Sequence, residues 1–201
     1  MDWPFLPSPS VWSKTRKLQQ RFPRPCNPAL GIDRPTPAAY RAGMAQKNPY
    51  GEDLGSLDPL KALAETPKKI QALVGKWPAK RWEKSYAPGK WSARLILVHL
   101  AQTEIALTTR VRFAASQDGY VAQSFEQDDW LPLDEHADGP TALAAYVALR
   151  KLNVLMFKGL TAKQRTRAFT HPEFGALTPE WVAAQLAGHD IHHLKQLRQI
   201  K

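Results

Sequence analysis

The chain has 201 residues, 43% of them hydrophobic with seven Trp and seven Phe, enough for one domain with a bulky core, and its single cysteine, Cys26, excludes an intrachain disulfide. No window holds the roughly 18 or more apolar residues of a membrane span, and no apolar run opens the chain as a secretory signal would, so a cytoplasmic setting without membrane partners is expected. The net charge of +10 raises nucleic-acid binding, but the longer part of the chain is only mildly basic and shows no Lys/Arg stripe on one helix, so no specific nucleic-acid partner is expected.

The first 43 residues differ in kind from the rest. Lys14, Arg16, Lys17, Arg21, Arg24, Arg34 and Arg41 stand against only Asp2 and Asp33, which puts half of the net charge here, together with eight prolines. Proline at this density removes backbone donors and blocks helices, so residues 1–43 read as a disordered tail. Met44 opens the body, 44–201, and the tail is either a mis-assigned start of translation or a basic arm.

Helix punctuation then recurs. Asp58-Pro59 and Thr66-Pro67 each pair an N-cap residue with proline at the first helical position, and the second is expected to launch a helix ending near Gly75. Ser92 precedes an apolar run from Leu95 to Val111, which ends before Asp118-Gly119. Thr141, after Gly139-Pro140, opens a third helix that stops at Gly159. Thr178-Pro179-Glu180 starts the last, which runs almost to the final residue. Strand-like alternation is nearly absent. Four main helices with long connections predict an all-α, up-down four-helix bundle, with ligand sites between facing helices.

Six histidines occur. His189 and His193, four apart, are separated by about 40° around a helix and share a face, a half-site for a borderline metal such as zinc. An HxxxH pair can equally be solvated on an exposed helix, but the neighbours Leu186, Ala187, Leu194 and Leu197 predict a buried one, where unpartnered histidines are costly. His192 lies about 100° from His193 and is expected at the rim. Only eight residues follow His193 and none is a typical ligand, so a third ligand has to come from upstream. His99, the one polar group in Leu95–Ala101, is preferred over the loop histidines His136 and His171. The stretch His189-Asp190-x-x-His193 also reads as the HExxH protease pattern with Asp190 as a shortened base, a weaker alternative. Arg110, about 20° from His99 around the same helix, could meet a substrate carboxylate or serve as a structural surface residue. Gln196, one turn beyond His193, could orient a ligand. Asp128, Asp129 and Trp130 fall in the connection between the second and third helices, which could cover the site or plug the bundle.

The set Trp91-Ser92 through His99-Leu100-Ala101, then Glu104, and the terminal His189-x-x-His192-His193-x-x-Gln196 resembles the DinB/YfiT-like superfamily. The likeness runs from about Asn48 to Lys201 and includes Asp58-Pro59-Leu60, Thr66-Pro67 and His171-Pro172-Glu173-x-Gly175. The resemblance implies a four-helix bundle holding one divalent metal, zinc or nickel, on His99, His189 and His193. It implies homodimers, and either a thiol S-transferase using bacillithiol, mycothiol or glutathione, or a hydrolase. Three protein ligands leave a coordination position open, which suits catalysis. Cys26 lies in the tail, so a thiol would come from a cofactor; the leading expectation is thiol transfer to a small electrophile. The alternatives are hydrolysis by water activated at the metal, and a non-catalytic metal-dependent module that binds a small ligand.

Overall fold

The computed structural model describes residues 46–201; the 1–43 tail and the boundary at Met44 lie outside the described residues. In chain order the elements are α1 (Gly51–Leu54), α2 (Pro59–Val74), α3 (Ala79–Trp82), α4 (Ala93–Ser116) and α5 (Gln127–Trp130), the last running into a 3-10 turn at Leu131–Asp134. Then come α6 (Gly139–Gly159), α7 (Ala162–Arg165), a hairpin of β1 (Phe169–His171) and β2 (Gly175–Leu177), and α8 (Pro179–Gln199).

Three of the expected helix starts are capped as the sequence predicts. Asp58 accepts from Lys61 N at 2.7 Å, Ser92 from Leu95 N at 3.3 Å and Thr178 from Trp181 N at 3.1 Å, each satisfying a backbone donor that the first turn leaves free. Two starts differ. Thr66-Pro67 does not launch a helix, because α2 runs unbroken from Pro59 with Pro67 inside it. Proline there forfeits a helix bond at a cost of about 3 kcal/mol, but Leu63, Ile70 and Val74 on the same helix are fully buried, and their packing outweighs the local break. The cap of α6 is Asp138 rather than Thr141: its carboxylate accepts from Thr141 N at 2.7 Å, with Gly139 and Pro140 inside the first turn. Gly139 is required there, since a Cβ would come within 2.2 Å of the buried Trp82 indole.

α2, α4, α6 and α8 form the bundle, with α2 and α4 each packed against both α6 and α8. Two core clusters fix the directions. Leu63 of α2, Leu107 and Val111 of α4, Val154 and Phe157 of α6, and Val182 and Leu186 of α8 pack at one end. Ile70 and Val74, Ile96 and Leu97, Leu143 and Tyr146, and Leu194 and Leu197 pack at the other. Alternation therefore holds from α2 to α4 and from α6 to α8. The middle pair, α4 and α6, runs parallel, because the long connection 117–138 carries the chain back along the bundle. Arg94 at the start of α4 donates to Ala137 O just before α6 (3.3 Å), while Arg167, beyond α6, donates to Ala115 O near the end of α4 (3.1 Å). The small hairpin, with an isolated parallel bridge from Val121 to Thr170 and another between Ser85 and Ser92, departs from an all-helical chain, and it places His171 on a strand rather than in a loop. No helix among them is long and apolar enough to cross a membrane.

Candidate metal centre

α4 and α8 meet at three histidines. His99 Nε2 lies 2.9 Å from His189 Nε2, which lies 3.0 Å from His193 Nε2, and all three rings are buried. One ring nitrogen from each falls within a 4.8 Å cluster. Burial holds all three neutral: the His99 pKa falls to about 3, that of His193 to about 4, and that of His189 well below its ordinary value, the neighbouring imidazoles adding to the effect for His99 and His189.

The tautomers leave a surplus of lone pairs at the centre. The Gln196 carboxamide oxygen accepts from His193 Nδ1 at 2.8 Å, so the proton of this neutral ring sits on Nδ1 and its Nε2 is a bare acceptor. A single N–H on His189 can then serve His193 or His99 but not both, and the Nδ1 atoms of His99 and His189 have no partner among the described residues. Three convergent, neutral, buried imidazole nitrogens are the donor set of a borderline divalent cation, and a shared cation would take up all three lone pairs. The donor set therefore fits the metal that the sequence leads one to expect.

Aromatic rings wall the cluster. Trp91 packs on His99 with centroids 4.9 Å apart, and Phe125 stacks on the same imidazole at 6.5 Å and 12°. Tyr50 meets His189 edge-on at 5.0 Å. Gly188 makes that approach possible, since a Cβ at this position would lie 2.3 Å from Tyr50 O. On the remaining side His193 opens onto a cavity of about 280 Å³ lined by Tyr86, Gly89, Lys90, Trp91 and Gln196.

The other expected residues separate. Gln196 joins the site, its amide nitrogen 3.3 Å from Tyr86 Oη and 3.0 Å from His192 Nε2. His192 is turned outward, 41% exposed, with Nδ1 3.1 Å from Asp53. Asp190 is buried but faces the bundle interior, bonded to Tyr146 Oη at 2.7 Å and to both terminal nitrogens of Arg150. It therefore lacks the free carboxylate that the protease reading needs. Arg110 is buried along α4 rather than exposed, and donates to Gln123 O at 2.7 Å. Trp130 caps Phe125 edge-on at 4.9 Å, and its carbonyl accepts from Gln102 at 2.7 Å, so the connection is tied to α4. Asp128, Asp129 and His136 are exposed. His171 is buried in the hairpin, its Nδ1 accepting from Glu173 N at 3.2 Å.

Sequence reasoning missed a polar core beside His189. Arg150 pairs with both Glu104 and Asp190; Asn153 donates to Glu104 at 2.7 Å and accepts from Arg112 at 2.8 Å. The available signal was two carboxylates, Glu104 and Asp190, on helix faces otherwise apolar, since such groups are buried only with partners. Tyr50, Tyr86 and Lys90 carried no comparable signal.

Known proteins share this architecture. A solved structure of YfiT from Bacillus subtilis, described there as an unusual four-helix bundle, superposes with a TM-score of 0.65 at 23% identity, covering 71% of this chain and 83% of that one. A protein of Halalkalibacterium halodurans, named provisionally as a metal-dependent hydrolase, is 24% identical over 141 residues, 70% of this chain and 82% of its own length. YfiT itself, named in the same way, is 22% identical over 144 residues, 70% of this chain and 81% of its own length. The family model of the DinB superfamily matches residues 62–197, and the chain belongs to that superfamily.

Proposed function

We propose that this protein is a metal-dependent enzyme that activates a small external nucleophile for attack on a small-molecule electrophile, with hydrolysis as its reaction. One observation carries this reading: three neutral, buried histidine nitrogens converge at a point where one of them, His193, also lines an open cavity. His99, His189 and His193 would hold one divalent cation, zinc or nickel by the preference of imidazole. Such a cation supplies Lewis acidity and lowers the pKa of a nucleophile at its open position. Gln196 fixes the His193 tautomer and aims its Nε2 inward. Trp91 and Phe125 keep water from the flanks of His99, while Lys90 and Tyr86 stand at the mouth, suited to a polar or anionic substrate group. The names given to the relatives support hydrolysis.

Transfer of a low-molecular-weight thiol such as bacillithiol, mycothiol or glutathione is the second reading, and one feature favours it. None of the cavity-lining residues is a carboxylate that could take a proton from water, whereas a thiol needs little help to ionise. Assays of the metal-loaded protein with a p-nitrophenyl ester, and with glutathione plus 1-chloro-2,4-dinitrobenzene, separate the two. Ester turnover that disappears with chelator and returns with metal is expected. Turnover only with the thiol would replace hydrolysis by transfer, and no metal-dependent turnover in either assay would overturn the enzyme reading.

Gln196→Leu is expected to weaken metal binding by about 10–100-fold, the usual cost of losing a group that orients a ligand. Competition against a chromogenic chelator measures this, and unchanged affinity would remove Gln196 from the site.

A further inference from the structure

The helix face that bears His99 continues along α4 through Ala106 to Arg110, and the connection 117–138 arches over it. Between them lies a groove of about 420 Å³, within the range of roughly 300–1,000 Å³ typical of small-ligand sites. Its walls are aromatic: Phe113 stacks on Tyr120 at 5.1 Å, and Phe125 meets Trp130 edge-on at 4.9 Å. Ile105, Phe113 and Val121, all lining it, are 46%, 41% and 60% exposed, so apolar surface is gathered here at a cost in solvation.

Arg110 gives the groove a charge. It is only 9% exposed, and its one hydrogen bond among the described residues is to Gln123 O. No carboxylate among them lies within 4.0 Å of it, in contrast to Arg150, the other deeply buried arginine, which is paired with two. Glu173 acts on Arg110 only through space, and its carboxylate instead takes the Ser124 hydroxyl at 3.4 Å. A guanidinium carries five N–H donors in a fork matched to an oxyanion, and burying one without an oxyanion in contact is costly. We infer that this groove binds a small organic anion, an aromatic or apolar body seated against Phe113, Tyr120 and Trp130, with a carboxylate or sulfonate on Arg110. The groove shares Phe125 with the wall around His99, but none of the three histidines lines it, and the inference does not depend on the reaction assigned to them.

The test uses two fluorescent probes of similar shape, the anion 1-anilinonaphthalene-8-sulfonate and the neutral N-phenyl-1-naphthylamine. Each is titrated into the full chain with and without chelator, and into Arg110→Gln and Arg110→Lys. The wild type is expected to bind the anion at one site per chain and more tightly than the neutral probe, regardless of chelator. Arg110→Gln should lose about tenfold or more for the anion with little change for the neutral probe, a charge-assisted bond being the difference. Arg110→Lys should recover part of the loss, because it restores charge without the fork. Equal affinity of the wild type for both probes overturns the inference even if the Arg110 variants fail to fold. Anion binding that vanishes with chelator and ignores Arg110→Gln assigns the anion to the metal and also overturns it. Absence of anion binding to the wild type at one site per chain overturns the inference whatever the oligomeric state.

Discussion

Replacing His189 with Ala is expected to abolish stoichiometric metal retention and to make the metal-free protein less sensitive to acid. His189 is the middle member of the cluster, within 3.0 Å of both other Nε2 atoms, so its loss leaves two donors facing a gap. Loss of an orienting group alone costs about 10–100-fold, and a direct ligand should cost at least about 100-fold. The acid effect follows from the sign of the pKa shifts. Unfolded histidine titrates near 6.5, while in the folded chain His99 falls to about 3, His193 to about 4 and His189 well below its ordinary value. Between about pH 6.5 and these folded values the unfolded chain binds protons that the folded one does not. Stability is therefore full above pH 6.5 and drains away as pH falls, by on the order of 1 kcal/mol per pH unit for each histidine. His189→Ala removes one of these three contributions, so its urea midpoint should fall less steeply from pH 7 to pH 5 in chelator. Metal should flatten the wild-type curve over the upper part of this range, because it competes with protons for the same nitrogens. Elemental mass spectrometry gives the first result and urea titrations the second. One ion per chain retained by His189→Ala, or a wild-type midpoint indifferent to pH in chelator, would defeat the three-histidine site.

The parts of this architecture that were legible in the sequence are those that local chemistry dictates. Asp58-Pro59, Ser92 and Thr178-Pro179 mark helix starts because a side-chain acceptor and a missing donor suit the first turn, whatever the chain does elsewhere. The histidine cluster was legible because helix geometry sets His189 and His193 on one face, and because His99 is the one polar group in the apolar run Leu95–Ala101. Pro67 was misread for the opposite reason: a local break signal yields when the surrounding helix buries Leu63, Ile70 and Val74. The parallel course of α4 and α6 is a property of the path taken by residues 117–138, which no periodicity records. Arg110 was read as sharing the helix face of His99, but that it is buried with no carboxylate in contact depends on the loop folded over it. Arg150 sits beside Lys151 and resembles a solvated pair, and its role appears only when Glu104 from α4 and Asp190 from α8 close around it.

That closure makes Arg150 the residue whose loss should cost the fold most. It is 2% exposed, Glu104 is fully buried and Asp190 is 1% exposed, so one guanidinium compensates two carboxylates out of reach of water. Arg150→Met keeps the volume and removes the charge. What it leaves is two carboxylates with Tyr146, Asn153 and each other, and such a broken buried pair is expected to cost about 3–5 kcal/mol. Burial already pushes Asp190 up to about 6 with Arg150 present, so part of the penalty in the variant will be met by proton uptake near neutral pH. The stability gap between Arg150→Met and the metal-free wild type should therefore narrow from pH 8 to pH 6, because both lose the same histidine contribution while the unpaired carboxylates of the variant take up a proton more readily than Asp190 does beside Arg150. Arg150→Lys should recover little, since a single ammonium cannot reproduce the bonds that the guanidinium makes to Glu104 and Asp190 at once. The triple variant Glu104→Gln, Arg150→Met, Asp190→Asn removes all three charges and should be more stable than Arg150→Met alone, because the cost lies in the unpaired charges rather than in the lost contacts. Urea unfolding of the four proteins at pH 8 and pH 6 decides it. If Arg150→Met unfolds within about 1 kcal/mol of wild type at pH 8, the network does not hold α4, α6 and α8 together, and the orientation of His189, one residue before Asp190, has to come from packing alone.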